Sequence, residues 1–95
     1  MSTIIEAAVA ALTARMTDTF PGTAKFVIPG EGAIMIDSAG VHAGDEAAEV
    51  TLTAEVDVFQ AILAGEINPT AAFMSGKLSV EGNMGLAMQL GSALS

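Results

Sequence analysis

The spacing of apolar residues predicts a helix at the start of the chain. Between residues 4 and 17, apolar side chains recur at helical spacing and form one stripe, as in a helix that packs one face on a core. The stripe consists of Ile5, Ala8, Val9, Leu12 and Met16. The helix is expected to stop at Phe20-Pro21-Gly22, because proline and glycine both break helices.

Four segments in the middle of the chain are predicted as strands, the first and last from alternating apolar and polar positions and the others from the turns beside them. The first of these segments places Ala24, Phe26 and Ile28 on one face. Glycine-containing turns separate the first three segments, so neighbouring strands should be antiparallel. The third segment fits either a short strand or a loop. The segments are Ala24 to Pro29, Ala33 to Asp37, Val41 to Ala43 and Glu49 to Ala54.

Two short helices are predicted after these strands. Asp57 is the expected N-cap of a helix over residues 58–64, which Gly65 closes. Asn68 is the expected N-cap of the next helix, because Pro69 then falls at the first helical position, where proline is favoured. This second helix is predicted to end near Gly76.

A strand and a helix complete the pattern. Lys77 to Glu81 alternates, with Leu78 and Val80 inward, and Asn83 is the expected cap of a helix over residues 84–94. The apolar residues of this helix recur at helical spacing. They are Leu86, Leu90 and Leu94 on one row, with Met84 and Met88 on the adjoining rows.

The order of elements predicts an α/β (α+β) fold with a mixed, largely antiparallel sheet that helices cover on one face. The two helices before the last strand make that connection long enough for a crossover. A chain of 95 residues makes one domain, so residues 1–95 are expected to form a single unit.

The composition suggests a core of aliphatic and methionine side chains with few aromatic rings. Hydrophobic residues make up 52 % of the chain, but the only aromatic residues are four Phe, and there are six Met. Methionine side chains adapt to ligands of varied shape, which favours an apolar cavity. A Met and Leu stripe at helical spacing also fits a plain core, so periodicity alone leaves both interpretations open.

Charge and targeting patterns narrow the partners and the compartment. Three basic residues stand against eleven acidic ones, for a net charge of −8. Nucleic-acid binding is therefore not expected, since phosphate recognition needs clustered Lys and Arg. The chain has no Cys, no basic residues ahead of the apolar stretch in residues 1–16, and no long uncharged apolar run. These features predict a cytoplasmic protein.

Few residues suggest catalysis or metal binding. His42 is the only His and has no nucleophile next to it in the sequence, and Asp57 of the Glu55/Asp57 pair is expected to cap a helix. Steroid-isomerising enzymes use a Tyr, which this chain lacks. We expect no catalytic residue, no metal site and no cofactor. The acidic residues that are close enough in sequence to suggest a metal site are Asp45, Glu46 and Glu49.

The second half of the chain carries several motifs close together. They are Gly65-x-x-Asn68-Pro69, Ala72-Phe73, Gly76-Lys77-Leu78 and Gly82-Asn83-Met84-Gly85-Leu86-Ala87-Met88. With these motifs the chain closely resembles the sterol carrier protein type 2 family. Val50-Thr51-Leu52-Thr53 and Asp57-x-Phe59 also fit the family pattern. The resemblance is motif-specific over residues 65–90 and follows the element order over most of residues 20–94.

This resemblance implies a five-stranded sheet with helices that enclose a hydrophobic tunnel. It also implies a non-catalytic protein that binds a fatty acid, a fatty acyl-CoA, a sterol-like lipid or a phospholipid and moves it inside the cell. The implied partners are the lipid, a lipid-metabolising enzyme and, transiently, a membrane. The alternative is a non-enzymatic interaction module that presents lipid or an apolar face to such an enzyme.

On this basis the lipid-binding residues are expected on the inward faces of the strands and on the helix stripes. Lys77 or exposed helix caps near the mouth are the candidates for contact with a lipid head group. The last helix is the candidate for a lid, since a terminal element opens at low cost. The predicted lining consists of Phe26, Ile28, Ile34, Ile36, Leu52, Phe59, Leu63, Phe73, Met74, Met84, Met88 and Leu90.

Overall fold

A five-stranded sheet with helices packed on it forms the frame of the protein. The structure is a computed structural model that describes residues 3–15 and 20–94. The predicted end of the first helix and Met16 lie outside these residues. The elements in chain order are α1 (Thr3–Arg15), β1 (Ala24–Ile28), β2 (Gly32–Asp37), β3 (Gly40–Ala43), β4 (Val50–Ala54), α2 (Val56–Leu63), α3 (Pro69–Met74), β5 (Leu78–Gly82) and α4 (Met84–Leu94).

The strands lie in the order β3-β2-β1-β4-β5. Three neighbouring pairs are antiparallel, whereas β1 and β4 are parallel, so the prediction of a mixed, largely antiparallel sheet is confirmed. Residues 40–43, for which a strand and a loop were both open, form the edge strand β3.

The crossover does not lie where connection length predicted it. The two-helix connection returns β5 antiparallel to β4, so it is not a crossover. The parallel pair instead follows from the segment 44–49, which joins the edge strand β3 to the inner strand β4, next to β1. Backbone hydrogen bonds fix both ends of this segment, from Gly44 N to Ala33 O at 3.1 Å and from Glu49 N to Thr23 O at 3.0 Å.

Different helices pack on different strands of the sheet. Helix α1 packs against β2 and β3, α4 against β4 and β5, and α3 against β5. The Arg15 guanidinium donates a hydrogen bond to the Leu63 carbonyl and so ties the end of α1 to the end of α2. Inward residues of the strands and helices form one core that excludes water, because burying apolar side chains is the main favourable term in folding.

Two of the predicted helix N-caps are present in the structure. Asn68 caps α3, with its Oδ1 accepting from Thr70 N at 2.8 Å and from Ala71 N at 3.4 Å, and Pro69 is the first helical residue. Asn83 Oδ1 likewise accepts from Leu86 N at 3.1 Å at the start of α4. Both predicted asparagine caps are confirmed, because the short amide side chain satisfies backbone N–H groups that the helix leaves free.

The prediction for Asp57 was wrong. Helix α2 begins at Val56, with Glu55 in the N-cap position and no side-chain cap bond. Val56 is half-buried and packs against the core, so tertiary packing extends the helix beyond the residue that local sequence favoured. Asp57 lies in the first turn, where its charge favours the positive end of the helix dipole.

One glycine is required where β5 ends beside the start of β4. Gly82 has a φ of 103°, which favours glycine, and a Cβ there would lie 2.3 Å from the Glu49 carbonyl oxygen. The adjoining Asn83 N donates to the same oxygen at 2.9 Å. This close approach sets the direction in which the chain leaves the sheet for α4.

No helix in the described ranges 3–15 and 20–94 is long and apolar enough to cross a membrane.

Candidate lipid-binding site

The floor of the candidate site is a row of side chains that crosses the sheet. Phe26 of β1 lies opposite Leu52 of β4, and Leu52 lies opposite Val80 of β5. Residues in register across neighbouring strands point to the same face, so these three side chains form one continuous apolar surface. Together with Leu78 they line a cavity of about 320 Å³, here called the α3–α4 cavity.

Three helices form the walls of this cavity. Helix α2 contributes Ile62, α3 contributes four residues and α4 contributes four more. Pro69 and Gly91 lie at the contact between α3 and α4, where a Cβ on Gly91 would be 3.8 Å from the Pro69 Cβ. The helical wall residues are Ile62, Pro69, Thr70, Phe73, Met74, Met84, Ala87, Met88 and Gly91.

The mouth of the α3–α4 cavity is apolar and faces solvent. Within residues 3–15 and 20–92, the large hydrophobic side chains that are exposed all line this one cavity. We call this set the apolar mouth: Phe73 at 42 % exposed, Met74 at 81 %, Met84 at 47 % and Met88 at 73 %. Large apolar side chains gathered at one opening are typical of a binding site, whereas scattered ones are ordinary.

The cavity offers no reactive group. Thr70 supplies the only polar side chain among its lining residues, and no charged side chain lines it. Across the described ranges, no group of three or more His, Asp or Glu side chains could hold a metal ion. His42 lies elsewhere, on the edge strand, with its Nε2 3.9 Å from a Glu46 carboxylate oxygen. The arrangement can therefore sequester an apolar molecule by burial.

The twelve residues predicted as lining fall into three groups. Six of them surround the α3–α4 cavity, namely Phe26, Leu52, Phe73, Met74, Met84 and Met88. Four others are fully buried in the closed core, namely Ile28, Ile34, Ile36 and Leu90. Their lipid-binding role stays a prediction for all twelve, but the structure gathers only the first six at one opening.

Phe59 and Leu63 form the third group. Phe59 is fully buried and meets Phe26 edge to face, with ring centroids 4.5 Å apart and an interplanar angle of 60°. Both residues also line a separate groove of about 300 Å³ between α1 and α2. The Phe26–Phe59 contact therefore divides that groove from the α3–α4 cavity.

The predicted lining left out seven of the cavity residues. They are Ile62, Pro69, Thr70, Leu78, Val80, Ala87 and Gly91. A signal did exist on α4, where Met84, Ala87, Met88 and Gly91 recur at i, i+3, i+4 and i+7 and so share one face. Their small members were overlooked because Ala and Gly contribute little hydrophobic signal, although small residues leave the space that makes a cavity.

Lys77 does not line the α3–α4 cavity. It belongs to a shallower polar groove of about 540 Å³ that also includes Glu55, Asp57 and Ser79. Carboxylates in the same groove disfavour an anionic head group there, since like charges repel.

Comparisons with known proteins agree on one family. A family model described as the SCP-2 sterol transfer family matches residues 6–95. Sterol carrier protein 2 of Rattus norvegicus is 41 % identical over 63 residues, which cover 66 % of this chain and 10 % of that protein. Hydroxysteroid dehydrogenase-like protein 2 of Danio rerio is 37 % identical over 83 residues, which cover 79 % of this chain and 20 % of that protein. The chain thus spans a tenth to a fifth of the length of these relatives.

Solved structures show the same fold. Sterol carrier protein 2 like 2 from Aedes aegypti superposes with a TM-score of 0.80 at 22 % identity, covering 94 % of each chain. Sterol carrier protein-2 from Aedes aegypti, in complex with the C16 fatty acid palmitate, superposes with a TM-score of 0.78 at 25 % identity. That second match covers 100 % of this chain and 97 % of the other.

Proposed function

We propose that this chain, which belongs to the SCP-2 sterol transfer family, binds one lipid acyl chain in the α3–α4 cavity and transfers it. The observation that carries the proposal is the apolar mouth, whose four exposed side chains surround an opening onto a floor of buried apolar residues. The palmitate complex of the Aedes aegypti relative supports a fatty acid as the first ligand to test.

The mechanism is sequestration. Each CH₂ group removed from water contributes about 0.8 kcal/mol, and ordering of the chain offsets part of this gain. A dissociation constant on the order of 1 μM is therefore expected for a ~16-carbon chain. The lining residues in the part of the chain that the structure describes carry no charge, which suits binding of an apolar chain by burial. The methionines at the mouth can change rotamer to admit chains of different shape.

Two measurements test this function. The protein is purified without added lipid, extracted with organic solvent and analysed by mass spectrometry, and a fluorescent fatty acid is then titrated into delipidated protein. We expect co-purified acyl lipid and saturable binding in the micromolar range. Absence of both would refute the proposal. A fluorescent sterol titrated in parallel shows whether the cavity discriminates between a flexible chain and a rigid ring system.

A second candidate function comes from the lengths of the relatives. The chain matches only a short part of much longer proteins, among them a peroxisomal multifunctional enzyme of Dictyostelium discoideum of which it covers 12 %. It would then act as a module that presents lipid, or only its apolar face, to a lipid-metabolising enzyme. Size-exclusion chromatography with and without detergent separates these cases. Detergent-sensitive association without saturable fatty-acid binding would favour the interaction module.

A further inference from the structure

Charge is distributed unevenly along the chain. Residues 67–94 contain only two charged side chains, Lys77 and Glu81. The rest of the chain carries ten of the eleven acidic residues and two of the three basic ones, so the entire net charge of −8 lies outside this segment. Helices α3 and α4 have no charged residue at all.

The uncharged helices are also the ones that expose apolar side chains. The apolar mouth consists of two residues from α3 and two from α4. Two further exposed residues of these helices do not line the cavity: Ala71, which precedes Met74 by three positions, and Gln89, which follows Met88. An apolar surface that lacks charge, on a protein that is otherwise strongly acidic, needs a neutral and apolar surface to cover it.

We propose that this face, formed by α3, α4 and the apolar mouth, docks on electrically neutral phospholipid bilayers such as phosphatidylcholine. The proposal builds on the lipid-carrier function, because docking would place the mouth against the bilayer and let an acyl chain pass without crossing water. Membrane binding through basic patches requires Lys and Arg, which α3 and α4 lack. An anionic bilayer repels the −8 protein, whereas a neutral one leaves the four apolar side chains free to insert at its interface.

Vesicle flotation tests the lipid preference directly. Delipidated protein is mixed with phosphatidylcholine vesicles, or with vesicles that also contain phosphatidylserine, at low and high salt. We expect more binding to the neutral vesicles, with little salt dependence, and weaker binding to the anionic vesicles that increases as salt screens the repulsion. No binding to neutral vesicles, or tighter binding to anionic ones, would overturn the proposal.

Two double variants test whether this face makes the contact. Ala71→Glu with Gln89→Glu should lower binding to neutral vesicles roughly tenfold, because carboxylates would be brought against the bilayer interface. Ala71→Lys with Gln89→Lys should raise binding to anionic vesicles by about thirtyfold relative to wild type. Ser38→Glu with Ala47→Glu is the matched control, since these exposed residues lie in the β2–β3 turn and the 44–49 segment. This control should bind neutral vesicles as wild type does, and an equal loss in it would reject the assigned face.

Docking and cavity binding fail in different ways. Ala71 and Gln89 do not line the α3–α4 cavity, so titration with a fluorescent fatty acid in the absence of vesicles should change by less than about twofold in these variants. Fatty-acid binding without vesicle binding would reject docking and leave the carrier function. Vesicle binding without fatty-acid binding would reject the carrier function and leave membrane docking. Concentration-dependent dimerisation of wild type that the Glu variant abolishes would assign the face to a second copy of the chain and overturn the membrane proposal.

Discussion

The row of side chains that crosses the sheet from Ile34 through Phe26 to Leu52 and Val80 meets two different helical surfaces. Over β2, helix α1 packs down and leaves Ile34 completely buried. Over β4 and β5, the walls from α3 and α4 enclose about 320 Å³ instead. The same sheet face is thus a closed core on one side and the floor of a cavity on the other.

The types of side chain that fill the closed core and that surround the cavity differ. The closed side is filled by branched residues such as Ile5, Ile28 and Ile36, whose few rotamers suit a fixed packing arrangement. The open side has flexible methionines at its rim, three of which are exposed. Stiff side chains stabilise the fold on one side, and adaptable ones leave room for a ligand on the other.

The largest expected effect is a loss of stability on the closed side. Ile34→Ala should lower the free energy of unfolding by ~3 kcal/mol, because it removes a fully buried side chain and leaves a void. Urea unfolding followed by circular dichroism measures this loss. Met74→Ala on the open side is the matched control and should cost less than ~0.5 kcal/mol, since Met74 is 81 % exposed. Similar losses in the two variants would mean that the two regions do not differ in packing.

A glycine pair tests the close approach of the two chains where β5 ends beside the start of β4. Gly82→Ala should cost roughly 2 kcal/mol or more, since it combines an unfavourable φ with a clash against the Glu49 carbonyl oxygen. Gly30→Ala is the control, because Gly30 also has a positive φ of 82° but no atom within 4 Å of the added Cβ. Its cost should be limited to about 1 kcal/mol of backbone strain. Equal losses in urea unfolding would contradict the importance of the close approach.

Ligand binding should depend on the open side alone. Met88→Glu should weaken fatty-acid binding about tenfold or more, because it places a charge in the apolar wall, whereas stability should change by less than ~0.5 kcal/mol at this 73 % exposed position. Fluorescent fatty-acid titration and urea unfolding of the same preparation separate the two effects. Gln89→Glu adds the same charge next to it, outside the cavity lining, and should bind as wild type does. If both variants lose affinity equally, long-range charge and not the wall governs binding.

The smallest expected effect is a gain in stability. Gly91→Ala should stabilise the protein by about 0.5–1 kcal/mol, because alanine favours the helix and its Cβ would meet Pro69 at an ordinary 3.8 Å. Gly85→Ala is the comparison, since there the Cβ would lie 3.2 Å from the capping Asn83 Oδ1 and should cancel part of the gain. Thermal unfolding resolves the difference, and a loss of stability in Gly91→Ala would show that α3 and α4 are already in tight contact.

Local signals in the sequence determined the elements and most of their ends. Alternation and glycine-containing turns located the strands, and helical spacing located α1 and α4. Asn68 and Asn83 marked two helix starts, because a capping amide acts on backbone groups only a few residues away. The apolar character of the site was also visible in Met74, Met84 and Met88 and in the near absence of charge after residue 66. These properties depend on neighbours along the chain, so sequence alone could supply them.

Only the tertiary structure decided which apolar residues close a core and which enclose a cavity. Ile34 and Leu52 are both aliphatic residues of predicted strands, yet α1 covers one and the α3–α4 cavity lies over the other. Leu90 was predicted at the cavity and lies in the core, while the overlooked Ala87 and Gly91 line the cavity. The volume of the α3–α4 cavity depends on how far α3 and α4 lie from the sheet. That distance is set by contacts between residues far apart in the chain.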